Sequence, residues 1–413
     1  MRSIVRFAIV VAALAVVAPL GAQVNDPGRL YGRVMTMDGE EFEGFIRWGG
    51  NEGHWTDHID ATKHLPRRFR REAERLSGDR SDRRRGIRVL GVRVGWDNDR
   101  RWTSSASSVI RFGHIRRMEI LDDNYALFVL KSGEEQELSG SSDLGRSLKL
   151  VVQEANGGEV ELEWDELDFV EFLPAPRSTE SPFGARLYGV LTARGGEEYE
   201  GWITWDRDEI FAVDELDGRD GRRRRSVPFG EIASIERGSS SRAQVTLRDG
   251  RELELSGTND VNRENRGIFI GDPGIGRVEV KWNEFREVRF TDPPDNMTYE
   301  SLDGGHRLRG TVIAEDGASY TGAIRWDNDE QWSWEALDGE SRDVQLDVEF
   351  GLIRSISYVS VRSARVTLLD GREFVMRGSN DVNDENKGIF IELDDVEMVM
   401  LDWDEFERVE FQH

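Results

Sequence analysis

One block of text recurs at a fixed interval of 121 residues, and this repeat constrains the fold more than any single motif does. Asp370-Gly371, the loop Gly378–Gly388, Ile389-Phe390-Ile391 and the run Trp403–Phe411 restate Asp249-Gly250, Gly257–Gly267, Ile268-Phe269-Ile270 and Trp282–Phe290. A front half recurs three times. It begins Arg29-Leu30-Tyr31-Gly32, Arg186-Leu187-Tyr188-Gly189 and Arg307-Leu308-Arg309-Gly310, and a strand within it closes on Trp48, Trp205 and Trp326. A chain that repeats its own text three times has to fold as three similar units.

Within each unit the letters are those of strands. Tyr320-Thr321-Gly322-Ala323-Ile324-Arg325-Trp326 alternates with a period of two, the mark of a half-buried strand. The turns Asp38-Gly39, Gly195-Gly196 and Asp316-Gly317 separate such runs, and glycine there readily takes positive φ. Glycine-led segments at Gly113, Gly230 and Gly351 close the front halves. Glu166-Leu167, Glu284-Phe285 and Glu405-Phe406 open the closing strands of the back halves.

The expected fold is therefore all-β. It comprises three tandem repeats, each made of two small half-units or one compact β-sandwich. In strand count and length the half-units resemble small SH3-like or Sm-like β-barrels, a likeness of architecture that implies no activity. The repeats are expected over residues 23–173, 186–291 and 307–413, with proline- and glycine-bearing linkers at Leu173–Gly184 and Asp292–Gly305. Repeat one carries a basic insertion over residues 61–89. Within it Leu65, Phe69, Ala73 and Leu76 share one helical stripe behind Pro66. Trp96-Asp97-Asn98-Asp99 repeats the letters of Trp326-Asp327-Asn328-Asp329, but Trp48 fits the spacing of the repeat better.

Residues 1–22 read as a secretory signal peptide. Arg2 and Arg6 precede or flank the start of a 14-residue apolar run, Phe7–Leu20, and Gly21-Ala22 offers a small-residue cleavage site. That run is shorter than the roughly 20 residues that span a bilayer, so no transmembrane span is expected in the mature chain. Export implies a periplasmic or extracellular setting. The chain has no cysteine, which removes both disulfides and lipid attachment through a cysteine. Net charge is −25, and −27 once Arg2 and Arg6 leave with the leader. Such a chain lacks the positive field that displaces counterions from phosphate, so no nucleic-acid partner is expected. The arginine runs at Arg67–Arg71, Arg83–Arg85 and Arg222–Arg225 are read as solvated loops facing an acidic body.

The sharpest candidate for chemistry is the Asn/Asp loop. In repeat three Asp381, Asn383 and Glu385 occupy alternate positions and Glu392 follows. In repeat two Asp260, Asn262 and Glu264 do the same, with Gly271 in place of the last acid. Calcium takes six to eight oxygen ligands, and alternate loop positions can supply several. Against that, Asn386 stands where a helix-flanked calcium loop has glycine, and Asn and Asp also bond their own backbone in turns. Repeat one has only Gly140-Ser141-Ser142-Asp143-Leu144-Gly145. The runs Asp206–Glu209 and Asp327–Glu330 could add ligands if they fold toward the loop.

The recurring tryptophans Trp48, Trp164, Trp205, Trp282, Trp326 and Trp403 are expected to fill cores. His54, His58 and His64 sit near Asp57 and Asp60 without a strict zinc-ligand motif. The sequence has no cysteine nucleophile, nucleophile elbow, zinc-protease helix or phosphate loop. The expectation is an exported, non-enzymatic β-repeat protein that binds a protein or polysaccharide of the bacterial envelope, with no cofactor other than calcium. Calcium-dependent binding and glycan hydrolysis are the alternatives.

Overall fold

Six hairpins with one geometry set the local structure. Gly39, Gly133, Gly196, Gly250, Gly317 and Gly371 take φ between +84° and +95°. Each donates its amide three residues back, to Thr36, Leu130, Ala193, Leu247, Ala314 and Leu368, at 2.9–3.1 Å. This is a turn closed by a left-handed residue, where a β-carbon would be strained and glycine is not.

The computed structural model describes residues 27–83, 104–140, 143–154, 157–176, 183–294, 297–394 and 397–413; the side chains of 78–83 and 394 are outside that description. The leader, the Trp96 segment and most of the Arg83–Arg85 run lie outside the described residues. Among these residues are thirty strands, numbered β1 to β30 in chain order, and one α-helix. No helix among them is long and apolar enough to cross a membrane.

The first ten strands are β1 (Tyr31–Thr36), β2 (Glu41–Trp48), β3 (His58–His64), β4 (Ser105–Arg111), β5 (Ile115–Asp122), β6 (Tyr125–Leu130), β7 (Glu135–Ser139), β8 (Lys149–Glu154), β9 (Glu159–Glu163) and β10 (Leu167–Phe172). They pair antiparallel in the order β4-β3-β7-β6-β5-β10-β1-β2-β8-β9. The strands from β11 (Tyr188–Ala193) to β20 (Phe285–Phe290), and those from β21 (Arg309–Ala314) to β30 (Phe406–Phe411), pair in the corresponding order. The two half-units do not close separately. β10 lies between β5 and β1, while β2 pairs with β8 and β3 with β7, so front and back halves interleave in one open sheet. Long-range pairing, which no local pattern encodes, decides this.

The second and third sets join edge to edge. β19 (Gly276–Val280) pairs with β24 (Val344–Glu349), with Gly276 opposite Val348 and Arg277 opposite Asp347, which makes one twenty-strand sheet. Gly276 permits the approach, since a β-carbon there would fall 2.4 Å from the Asp347 carbonyl oxygen. One continuous core of fully buried aliphatic and aromatic residues underlies this sheet, and a second underlies β1–β10.

The recurring tryptophans fill these cores. Trp48, Trp164, Trp205, Trp282, Trp326 and Trp403 are at most 2% exposed. Trp205 stands edge-on to Trp282 and Trp326 to Trp403, with ring centres 6.4 and 6.3 Å apart. The basic insertion forms helix α1 (Arg67–Arg83). Its Ala73 packs on Phe390 and Met400 of unit three, and Glu72 pairs with Arg325 at 2.9 Å while that guanidinium lies over the Phe69 ring.

Candidate functional site

The Asn/Asp loops turn their first acid inward. Asp143, Asp260 and Asp381 are buried, and each carboxylate accepts the amide of an aspartate on an earlier strand of its own unit: Asp60 at 2.7 Å, Asp217 at 2.7 Å and Asp338 at 2.9 Å. Their carbonyl oxygens accept the indole N–H of Trp48, Trp205 and Trp326 at 2.9–3.0 Å. Asn262 and Asn383 accept the amides of Glu264 and Glu385, as local turns do. Asn265 and Asn386 likewise cap Gly267 and Gly388, whose φ values are +124° and +117°. Glu264 and Glu385 are exposed. Glu392 sits on β28 (Ile389–Asp394), opposite Ala323, with Arg307 at 3.7 Å.

The second acidic run does fold onto the loop. Asp206 and Arg207, and likewise Asp327 and Asn328, take positive φ in a tight turn. Asp206 is buried and accepts the Asn259 side-chain amide, the Arg266 amide and the Arg266 guanidinium. Asp327 receives Asn380 and Lys387 in the same way. Among the described residues, Asp206, Asp208 and Glu209 bring three carboxylate oxygens within 4.8 Å of one another. The Arg266 guanidinium already spans two of them, at 3.0 Å from Asp206 and 2.5 Å from Asp208. Burial, then Asp208, pushes the Glu209 carboxyl up to about 10.

A third set of acids shares one column of the repeat. Asp57, Asp214 and Glu335 occupy equivalent positions, and each accepts two consecutive backbone amides. Each also receives a cation from another unit. Arg186 of unit two reaches Asp57 at 2.8 Å, Arg47 of unit one reaches Asp214 at 2.9 Å, and Lys63 of unit one reaches Glu335 at 2.6 Å. The signal available was their shared alignment column. What the sequence could not show was the donors, which come from different columns.

The last of these pairs, Lys63 with Glu335, lines a cavity of about 480 Å³ to which all three units contribute. Its walls come from β3 and β4 of unit one, Arg277 of unit two, and residues 329–387 of unit three. Seven carboxylates line it, those of Asp60, Asp329, Glu330, Glu335, Asp338, Asp347 and Asp381, against three cations, Lys63, Arg277 and Lys387. Arg277 bridges Asp60 and Asp347, at 2.8 Å to each. Lys63 lies 3.8 Å from both Asp329 and Glu330. Asp329 and Glu330 are each 6% exposed, yet Asp329 Oδ1 and Glu330 Oε2 have no hydrogen-bond partner among the described residues. Burial and then Asp329 hold the Glu330 carboxyl well above the usual carboxylate range. Burial and then Asp338 do the same to Asp381. Asp327, just behind, is pushed up to about 7 by burial and Asp329. Burial alone would lower Lys63, but Glu335, Asp329 and Glu330 together hold its ammonium above the usual value.

A carboxyl raised in the folded state binds its proton to higher pH than in the unfolded chain. Its stabilising contribution is therefore present at low pH and lost as pH rises through and above the unfolded value near 4. Glu330→Gln, which cannot ionise, is expected to raise Tm relative to the parent by an amount that grows between about pH 5 and pH 8. Thermal melts of both proteins across that range check this; a constant difference contradicts the assignment to Glu330. His54 acts oppositely and cancels in the comparison: stacked on Trp202, it is held well below the usual imidazole value by burial and Arg186.

No protein-family model matches this sequence, and no curated protein or solved structure shows significant similarity to it.

Proposed function

We propose that the chain is an exported, non-enzymatic binding protein of the bacterial envelope, built of three repeats, and that its ligand site is the acidic cavity at their junction. The ligand is an organic cation, the ammonium or guanidinium group of a basic partner protein. The observation that carries this reading is the excess of seven carboxylates over three cations, with buried oxygens of Asp329 and Glu330 left unpartnered. Such oxygens are costly to bury without a donor, and an incoming cation with several N–H groups offsets that cost.

A single hard ion suits the cavity less well. Oxygens around one calcium at 2.3–2.6 Å crowd within about 5 Å of one another, and the trio that meets this spacing lies elsewhere, at Asp206, Asp208 and Glu209. That trio supports the calcium reading in unit two, with Asp260 behind it.

The test is calorimetric titration and thermal shift with spermidine, and separately with calcium after chelation. Spermidine is expected to bind saturably and to raise stability by about 2.7 kcal/mol at a hundredfold excess over Kd, and the Asp329→Asn/Glu330→Gln double variant is expected to lose this response. A shift with calcium alone, lost in Asp208→Asn, favours the second reading instead. No response to either rejects both.

A further inference from the structure

The join between β19 and β24 has an unused counterpart on the surface. By pairing, β9 is to unit one what β19 is to unit two: Leu162 faces Leu150 as Val280 faces Ile268. Likewise β14 (Arg223–Pro228) is to unit two what β24 is to unit three, since Leu216 faces Val227 as Leu337 faces Val348. Among the described residues β9 pairs only with β8, and β14 only with β13 (Glu215–Asp220). Both are open sheet edges, and both are mainly exposed.

We infer that these two edges are a self-association surface: β9 of one molecule pairs antiparallel with β14 of a second copy, in the register that β19 and β24 already use within the chain. Three observations support that occupant. In that register Glu279 faces Gln345, so Glu161 would face Arg224, replacing a carboxylate–amide pair by an ion pair directly across the strands. The edges carry opposite charge, with Glu159, Glu161 and Glu163 on β9 and Arg223, Arg224 and Arg225 on β14. Gly158 keeps the glycine that lets β24 approach Gly276, whereas the equivalent residue in unit three is Glu397, on a strand contacted by α1.

The charges also select the partner. Like charges directly opposite one another disfavour β9 against β9 and β14 against β14 and leave only the unlike pairing. An interface between two different patches of the same molecule is head-to-tail, so it continues into a ring or a filament rather than stopping at a dimer. Glu161 is held at present by Lys149 on the neighbouring strand, a surface pair that contributes little and can be exchanged.

The experiment is sedimentation velocity of the purified protein at concentrations up to roughly 100 µM, near the Kd expected of a small, exposed interface. The wild-type protein is expected to form concentration-dependent oligomers that dissociate at about 0.5 M salt, where exposed charges are screened. Glu161→Arg and Arg224→Glu are each expected to be monomeric, with Tm unchanged because both sites are exposed. The double variant, which swaps the charges, is expected to associate again. A monomeric wild-type protein, single variants that associate like it, or a double variant that stays monomeric would each overturn the proposal.

Discussion

Replacing Lys63 by methionine is expected to lower the unfolding free energy by about 3–5 kcal/mol, because breaking a buried ion pair from one side leaves an uncompensated charge. The Lys63 ammonium is 6% exposed and is the cation that unit one places in the acidic cavity beside Asp329, Glu330 and Glu335 of unit three. It bonds Glu335 at 2.6 Å and the Asp329 carbonyl at 2.8 Å. Methionine fills nearly the same volume, so the loss would report charge rather than a cavity. Glu335 cannot simply turn away, since its other oxygen caps the amides of Gln331 and Trp332. Equilibrium urea unfolding of the variant checks this. The Lys63→Met/Glu335→Gln double variant should recover part of the loss, because the amide oxygen of glutamine can still cap the turn. A loss below about 1 kcal/mol would mean that the pair behaves as an exposed one.

Trp326→Ala is expected to cost a similar amount, about 3–5 kcal/mol, for a different reason. The side chain is fully buried, stands edge-on to Trp403 and Phe406, and donates to the Asp381 carbonyl at 2.9 Å. Alanine removes the packing and also the donor that ties the Asn/Asp loop to the core. Trp326→Phe separates the two terms. It keeps most of the apolar contact and leaves the carbonyl largely unpaired, and it should cost about 1–3 kcal/mol. Unfolding monitored by tryptophan emission measures both variants. Equal losses for Phe and Ala would show that the indole hydrogen bond, not the packing, dominates.

How much of this was legible in the sequence depends on how far apart the partners are. The all-β character and the hairpins were legible, because Asp-Gly and period-two alternation act over a few residues, as at Asp316-Gly317 before Tyr320–Trp326. The core role of the tryptophans was legible from their recurrence at two columns, Trp48/Trp205/Trp326 and Trp164/Trp282/Trp403. In the Asn/Asp loops the turn chemistry of Asn262 and Asn383 could be read locally. The inward bond from Asp381 to the amide of Asp338 spans 43 residues and could not. Pairing of front with back halves was hidden for the same reason, which is why separate half-unit barrels were a fair expectation and the open, interleaved sheets were not. Least legible was the cavity. Its donors Lys63 and Arg277 come from units one and two and its acids mostly from unit three, and a repeat alignment describes what each unit shares, not how the units meet.

The seam between β19 and β24 also sets a clock. Arg277 and its partner Asp347 are 70 residues apart. At roughly 5–20 residues per second, the ribosome finishes the first strand about 4–14 s before the second exists. For that interval the nascent chain carries Val278, fully buried in the finished protein, on a raw strand margin open to any passing polypeptide. Protein synthesis therefore leaves the middle third of this molecule vulnerable until its last third arrives. Premature termination between the two would release a fragment with a permanently adhesive border.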